Sequence, residues 1–125
     1  MMKYNETPEF TRDVRKLEKR FKTLREDFEL AKKGTIELNH IMKKNNNGVF
    51  QINNAGNTPE LEFYKMKKLA CRSLPGKGNR SGIRVIYAYF PKLNEVVFLE
   101  MYFKGNKENE DKERIKEFIK LNEVR

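Results

Sequence analysis

At 125 residues the chain is sized for one domain, residues 1–125, and its 38% hydrophobic and 11% aromatic content suffices for a core and excludes general disorder. No apolar run approaches the ~20 residues that span a bilayer, and the first ten residues hold no hydrophobic signal core, so the expected place is the cytoplasm, away from membranes. A single cysteine, Cys71, excludes an internal disulfide and fits that reducing compartment.

The formal net charge of +9 is unevenly spread. Residues 1–44 carry 12 basic and 8 acidic groups, and 45–62 only Glu60 and Glu62. Residues 63–92 carry eight basic groups and no acid, while 93–125 carry seven basic and eight acidic. The acid-free segment holds nearly all of the excess, which points to a polyanion, most simply a nucleic acid.

In chain order, "KYNET" at 3–7 reads as a short strand. Thr7 then caps a helix, with Pro8 at its first position and Glu9 in its first turn. Phe10, Val14, Leu17 and Phe21 form one apolar stripe. Thr23 and Glu26 have capping-box spacing, so a second helix begins there and makes a helical hairpin with the first. Its apolar side is expected to include Phe28, Ala31, Leu38 and Ile41, with Gly34 a weak point. Residues 45–60 read as a long Asn- and Gly-rich loop with room for a short strand at 49–52. Strands are expected at 61–74, 83–90 and 95–104, the last two joined by a turn at 91–94. A helix over 106–122, with acids in its first turn, turns Ile115, Phe118 and Ile119 inward. The order β-α-α-β-β-β-α is that of an α+β domain: a small antiparallel sheet against an N-terminal helical hairpin and a C-terminal helix.

Common chemistries find little support. The lone histidine, His40, has no second His or Cys placed to share a metal, so a packing or surface role is expected. "GKGNRSG" lacks the Walker lysine-serine pair and leads into a strand, so its glycines serve a sharp turn. A cluster of cations on strands remains. Alternation puts Lys65 and Lys67 on one face, Arg84 on a face with Ile86 and Ala88, and Tyr102 with Lys104 at the end of the last strand. An arginine inside an apolar strand needs an open face or a partner, and Glu100 is the obvious bridging candidate.

"YKMKKLACRSLPGKGNRSGIRVIYAY", followed by "VVFLEMYFKGNKENEDKERIKEF", resembles the RelE/ParE superfamily of type II toxin–antitoxin toxins. "TPEFTRDVRKLEKRF" extends the likeness over nearly the whole chain, and the step "SGIR" into an apolar strand is its most specific part. The resemblance implies a RelE-like, microbial-ribonuclease-type fold and an endoribonuclease that cuts mRNA on the ribosome without metal or cofactor. Carried over by motif, the strand lysines fall on Lys65 and Lys67, the transition-state arginine on Arg84, and a further cation on Lys104. The family's tyrosine early in the C-terminal region has no counterpart in "NKENEDKER", which leaves Tyr102 or Tyr87 to substitute. Lys68, Arg72, Lys77 and Arg80 are the expected RNA-binding cations around this set. The implied partners are the ribosome, mRNA and an acidic antitoxin.

Attack of a ribose 2′-hydroxyl builds negative charge on phosphorus, which a forked guanidinium suits. A lysine could take the hydroxyl proton if neighbouring cations, with no acid beside them, lowered its pKa well below ~10.4. Two alternatives share the positive face: a ParE-like inhibitor of DNA gyrase without nuclease chemistry, and a non-catalytic RNA- or ribosome-binding module.

Overall fold

The first strand, β1 (Lys3–Glu6), runs parallel to the last, β5 (Glu95–Phe103). In this computed structural model, which describes residues 2–43, 48–74, 76–78 and 80–123, the two are an edge and its neighbour in a five-stranded mixed sheet. Strand β2 (Val49–Gln51), β3 (Glu62–Met66) and β4 (Ile83–Phe90) complete it in the order β1-β5-β4-β3-β2. The α+β class holds, with two differences from the expectation. The sheet has one parallel pair, and β2 adds the fourth consecutive strand for which the 49–52 stretch left room. Of the expected loops, residues 45–47, Pro75 and Asn79 lie outside the described residues.

Helix α1 (Pro8–Glu18) starts where the sequence places it, with Thr7 Oγ1 accepting from the Phe10 N–H at 3.2 Å. Helix α2 (Leu24–Ala31) follows as the second arm, and Phe10 meets Phe28 across the pair with ring centroids 5.3 Å apart. The expected Thr23–Glu26 capping box does not form. Thr23 instead binds Asp27 and Ser73, and Glu26 pairs with Arg72. After Ala31 the helix widens into a π-helical stretch over Lys32–Glu37, centred on Gly34, and ends in the short α3 (Leu38–His40). Each π turn takes more residues than an α turn, so the buried face advances. Ile36 and His40 are buried where Leu38 and Ile41 were expected, and Ile41 is exposed. His40 has the expected packing role, sitting among Tyr64, Tyr87 and Tyr89 with its Nε2 2.7 Å from the Tyr87 hydroxyl.

Two cores cover the two faces of the sheet. On one, α1, α2 and the π-helical stretch bury Phe10, Val14, Phe28 and Ile36 against Val85, Tyr87 and Phe98. On the other, α4 (Lys112–Glu123) packs Ile115, Phe118 and Ile119 against Phe63, Ile86, Ala88 and Leu99. The C-terminal helix thus starts six residues later than expected, and 106–111 run as a loop along the sheet's end. The expected strand at 61–74 also stops early, at Met66. No helix among the described residues is long and apolar enough to cross a membrane.

One irregularity decides which residues of β4 and β5 share a face. Ile86 stands opposite Glu100 but Tyr87 opposite Phe98, so β5 carries an extra residue, Leu99. A bulge of this kind reverses which side the following residues face. It turns Glu100 and Tyr102 to the α4 side, and Arg84 stands opposite Tyr102. Beyond Phe98, where β1 has ended, the open edge of β5 is closed by side chains. Asp13 accepts the Met101 N–H at 3.0 Å, and Arg114 donates to the Leu99 carbonyl at 3.1 Å. The same arginine grips both Asp13 oxygens, at 2.6 and 3.1 Å, tying α4 to α1 around the edge.

Candidate active site

The site forms where β3 and β5 end and β4 begins. Directly paired residues of antiparallel strands share a face, so Lys65 lies in a row with Ile86 and Glu100, and Arg84 in the next row with Tyr102. Lys67 is one residue past β3, held by its N–H bond to the Gly48 carbonyl at 2.8 Å. Lys104 is one residue past β5, its N–H bonding the Gly82 carbonyl at 2.9 Å. Gly82 adopts φ +85°, and a Cβ there would stand 3.2 Å from a Phe103 ring carbon. The serine-glycine step therefore delivers the chain into β4 in a conformation a larger residue strains.

These anchors bring Lys65, Lys67, Arg84, Tyr102 and Lys104 around one open pocket of about 270 Å³, whose wall is completed by Glu108 and Asn109. All five expected catalytic positions converge there. The expected RNA-binding set does not line this pocket. Lys68 and Arg72 border a separate groove beside α2, and Arg72 is committed to Asp27 and Glu26. Lys77 and Arg80 are exposed on the loop before β4.

Ion pairing separates the cations of the site. Among the described residues no carboxylate lies within salt-bridge distance of Lys67, Arg84 or Lys104. Arg84 donates to the Lys67 carbonyl at 3.1 Å, which fixes one edge of its fork, and Lys67 Nζ rests 5.0 Å from the centre of the Phe50 ring. Arg84 does not take the structural alternative of a bridge to Glu100. Glu100 stands opposite Ile86, is buried, and binds Lys107 and the Asp111 N–H.

Lys65 differs from its neighbours. It forms an ion pair with Glu110, whose Oε1 has no other partner among the described residues, and the two side chains are 15% and 10% exposed. Burial acts to lower the Lys65 pKa, but the bond to Glu110, helped by Tyr102, outweighs it and holds the ammonium above the ordinary lysine value. Burial acts to raise the Glu110 pKa, and the same bond reverses that and holds it below the usual carboxylate range. The expectation of an acid-free cluster with a lysine of lowered pKa is thus corrected for Lys65. The correcting residue comes from 106–111, outside the acid-free segment. Those acids read as a helix's first turn. The stretch stays a loop because Glu100 accepts the Asp111 N–H and holds it against β5.

Tyr102 is buried at the pocket's back, and burial keeps its phenol pKa above the ordinary value against the pull of Lys65. Tyr87 cannot replace it, because it lies on the opposite face, fully buried against His40. Glu108, Asn109 and Glu110 are the site residues that sequence reasoning missed.

The described residues hold no group of three His, Cys, Asp or Glu side chains placed for a metal ion. No family model matches the chain, and no curated protein or solved structure matches it.

Proposed function

We propose that this protein is an endoribonuclease toxin of the RelE type, working in the cytoplasm on mRNA held by the ribosome and restrained by an acidic antitoxin. The observation that carries the reading is the convergence of Lys65, Lys67, Arg84 and Lys104 on one pocket, three of them without a carboxylate partner among the described residues. Holding like charges together costs Coulomb energy, which an anionic ligand repays. The resemblance read from "SGIR" supplies the ligand's identity, a phosphodiester of RNA.

In this reading the 2′-oxygen attacks the adjacent phosphorus and the bond to the 5′-oxygen breaks, leaving a 2′,3′-cyclic phosphate and a 5′-hydroxyl. Arg84, fixed on one side by the Lys67 carbonyl, offers its remaining N–H groups to the charge gathering on the phosphoryl oxygens. Lys67 and Lys104 hold the phosphate. Lys65, kept as an ammonium by Glu110, donates a proton to the departing 5′-oxygen. The 2′-hydroxyl proton passes to Glu108, the carboxylate on the pocket wall.

The test is to add the protein to a translating bacterial extract and map new mRNA 5′ ends by primer extension. Cuts within codons that require translation are expected. Intact mRNA would overturn the nuclease reading in favour of gyrase inhibition or simple binding, which a supercoiling assay then separates.

A further inference from the structure

Of the nine Phe and five Tyr side chains in the chain, Phe50 is the one that is exposed, at 44%. The other large exposed apolar side chains among the described residues, such as Leu30 and Leu93, are aliphatic. Phe50 lies on the outermost strand β2, directly opposite Lys65, so its ring stands on the same face of the sheet as the cationic pocket. Its neighbour Val49 points the other way, into the core. Lys67, which lines the pocket, covers one part of the ring from 5.0 Å. A partly exposed aromatic ring thus borders the cationic pocket.

Aromatic surface costs free energy to leave in water, and a Gln or Thr on this edge strand would avoid that cost. Cations that track a phosphate chain, with a flat ring beside them, are the two elements of single-strand nucleic-acid sites: the charges hold the backbone and the ring takes a base by stacking. We propose that Phe50 is the platform of a nucleobase subsite, on which one base of single-stranded RNA stacks while the neighbouring phosphate occupies the Lys67–Arg84 pocket. The subsite rests on the RNA reading above and adds to it the place of a base. Entry of the phosphate gives the Lys67 ammonium a stronger partner than the ring and frees the face it covers. Because every base has a π face, the subsite favours single strands over duplexes without choosing a sequence.

The chain has no tryptophan, so Phe50→Trp creates its sole indole, at the proposed contact, which is excited selectively over the five tyrosines. The probes are a dye-labelled, 2′-O-methylated hexanucleotide, which resists cleavage, and a set of its copies that each lack one base. Anisotropy at ~50 mM salt measures binding, and indole fluorescence of the Phe50→Trp protein reports stacking. The intact oligonucleotide should quench that fluorescence, and one abasic copy should not. Phe50→Ala should bind the intact strand roughly 5- to 100-fold more weakly, and Phe50→Leu nearly as weakly, whereas Phe50→Tyr should stay close to wild type. Removal of the stacked base should weaken wild type but leave Phe50→Ala unchanged. Equal affinity of wild type and Phe50→Ala, with affinity still lost in Lys67→Ala, would overturn the subsite and leave the RNA reading standing. No binding of either probe by the wild-type protein would overturn the subsite, and the cleavage map in the translating extract then decides the RNA reading by itself.

Discussion

Replacing Glu110 by glutamine should loosen the fold and tighten the grip on phosphate at the same time. The pair it forms with Lys65 is mostly buried, so removing the charge strands an ammonium that Gln can only partly satisfy through its carbonyl oxygen. A charge-assisted bond downgraded in this way costs about 1–2 kcal/mol, which lowers Tm by roughly 3–12 °C in a domain of this size. The pocket's four cations face two nearby carboxylates, Glu108 and Glu110, and the substitution leaves one. At ~6 Å and an effective dielectric of ~40–80, that is worth about 0.7–1.4 kcal/mol to a bound phosphate, or roughly 3- to 10-fold in affinity at low salt. A freed Lys65 adds one phosphate contact, steepening the salt dependence on single-stranded RNA by about 0.7.

The pH dependence of that stability difference is equally specific. Glu110 is held below its unfolded pKa, so the pair's contribution is present above ~pH 4.3 and fades as pH falls through the folded value. Lys65 is held above its unfolded pKa, so the contribution is present below ~pH 10.4 and fades as pH rises through the folded value. Thermal melts of wild type and Glu110→Gln from pH 3 to 11, with anisotropy titrations at several salt concentrations, measure both effects. A variant that melts with wild type across that range and binds RNA no more tightly would refute the assignment of Glu110 as the restraint on Lys65.

Other outcomes follow from the same geometry. His40 is buried and burial lowers its pKa to about 4, so the unfolded chain takes the proton first and stability falls as pH drops from ~6.5 to 4. That loss, up to about 3 kcal/mol, should vanish in His40→Phe when urea midpoints are compared at pH 7 and 4.5. Gly82→Ala meets both a positive φ and the Phe103 ring, and should cost about 1–3 kcal/mol in urea unfolding. Glu108→Gln should reduce cleavage by roughly 10²-fold in the primer-extension assay, with binding unchanged or tighter.

Much of the fold was legible because its signals are local. Thr7-Pro8 starts α1 through one cap, and the β-branched and aromatic run 83–90 needs no distant partner to read as a strand. The failures are non-local. Thr23 has the spacing of a cap, yet Asp27 and Ser73 compete for its hydroxyl. The π-helical turn at Gly34 shifts the buried face by a fraction of a turn, which a fixed 3.6-residue period does not register. The same contrast governs the site. Lys65, Lys67, Arg84 and Lys104 were legible as cations at strand ends, but alternation paired only Lys65 with Lys67, and the family resemblance gathered the four into one set. Glu110 was not, because its acid neighbours resemble a helix start and only the Asp111–Glu100 bond shows that they are not one. The bulge at Leu99 was also hidden, and it decides that Arg84 faces Tyr102.

The central claim is that Arg84 stabilises the transition state far more than it does the bound substrate. It is tested most directly by measuring cleavage and binding separately for wild type, Arg84→Lys and Arg84→Ala. Cleavage is read as new mRNA 5′ ends per minute in the translating extract, and binding as affinity for the 2′-O-methylated strand. Both variants should lose roughly 10²- to 10³-fold in cleavage while affinity changes by less than about 10-fold, and the charge kept in Arg84→Lys should not rescue the rate. Cleavage and affinity falling together in Arg84→Ala, with Arg84→Lys restoring both, would reduce Arg84 to an ordinary phosphate contact and contradict the claim.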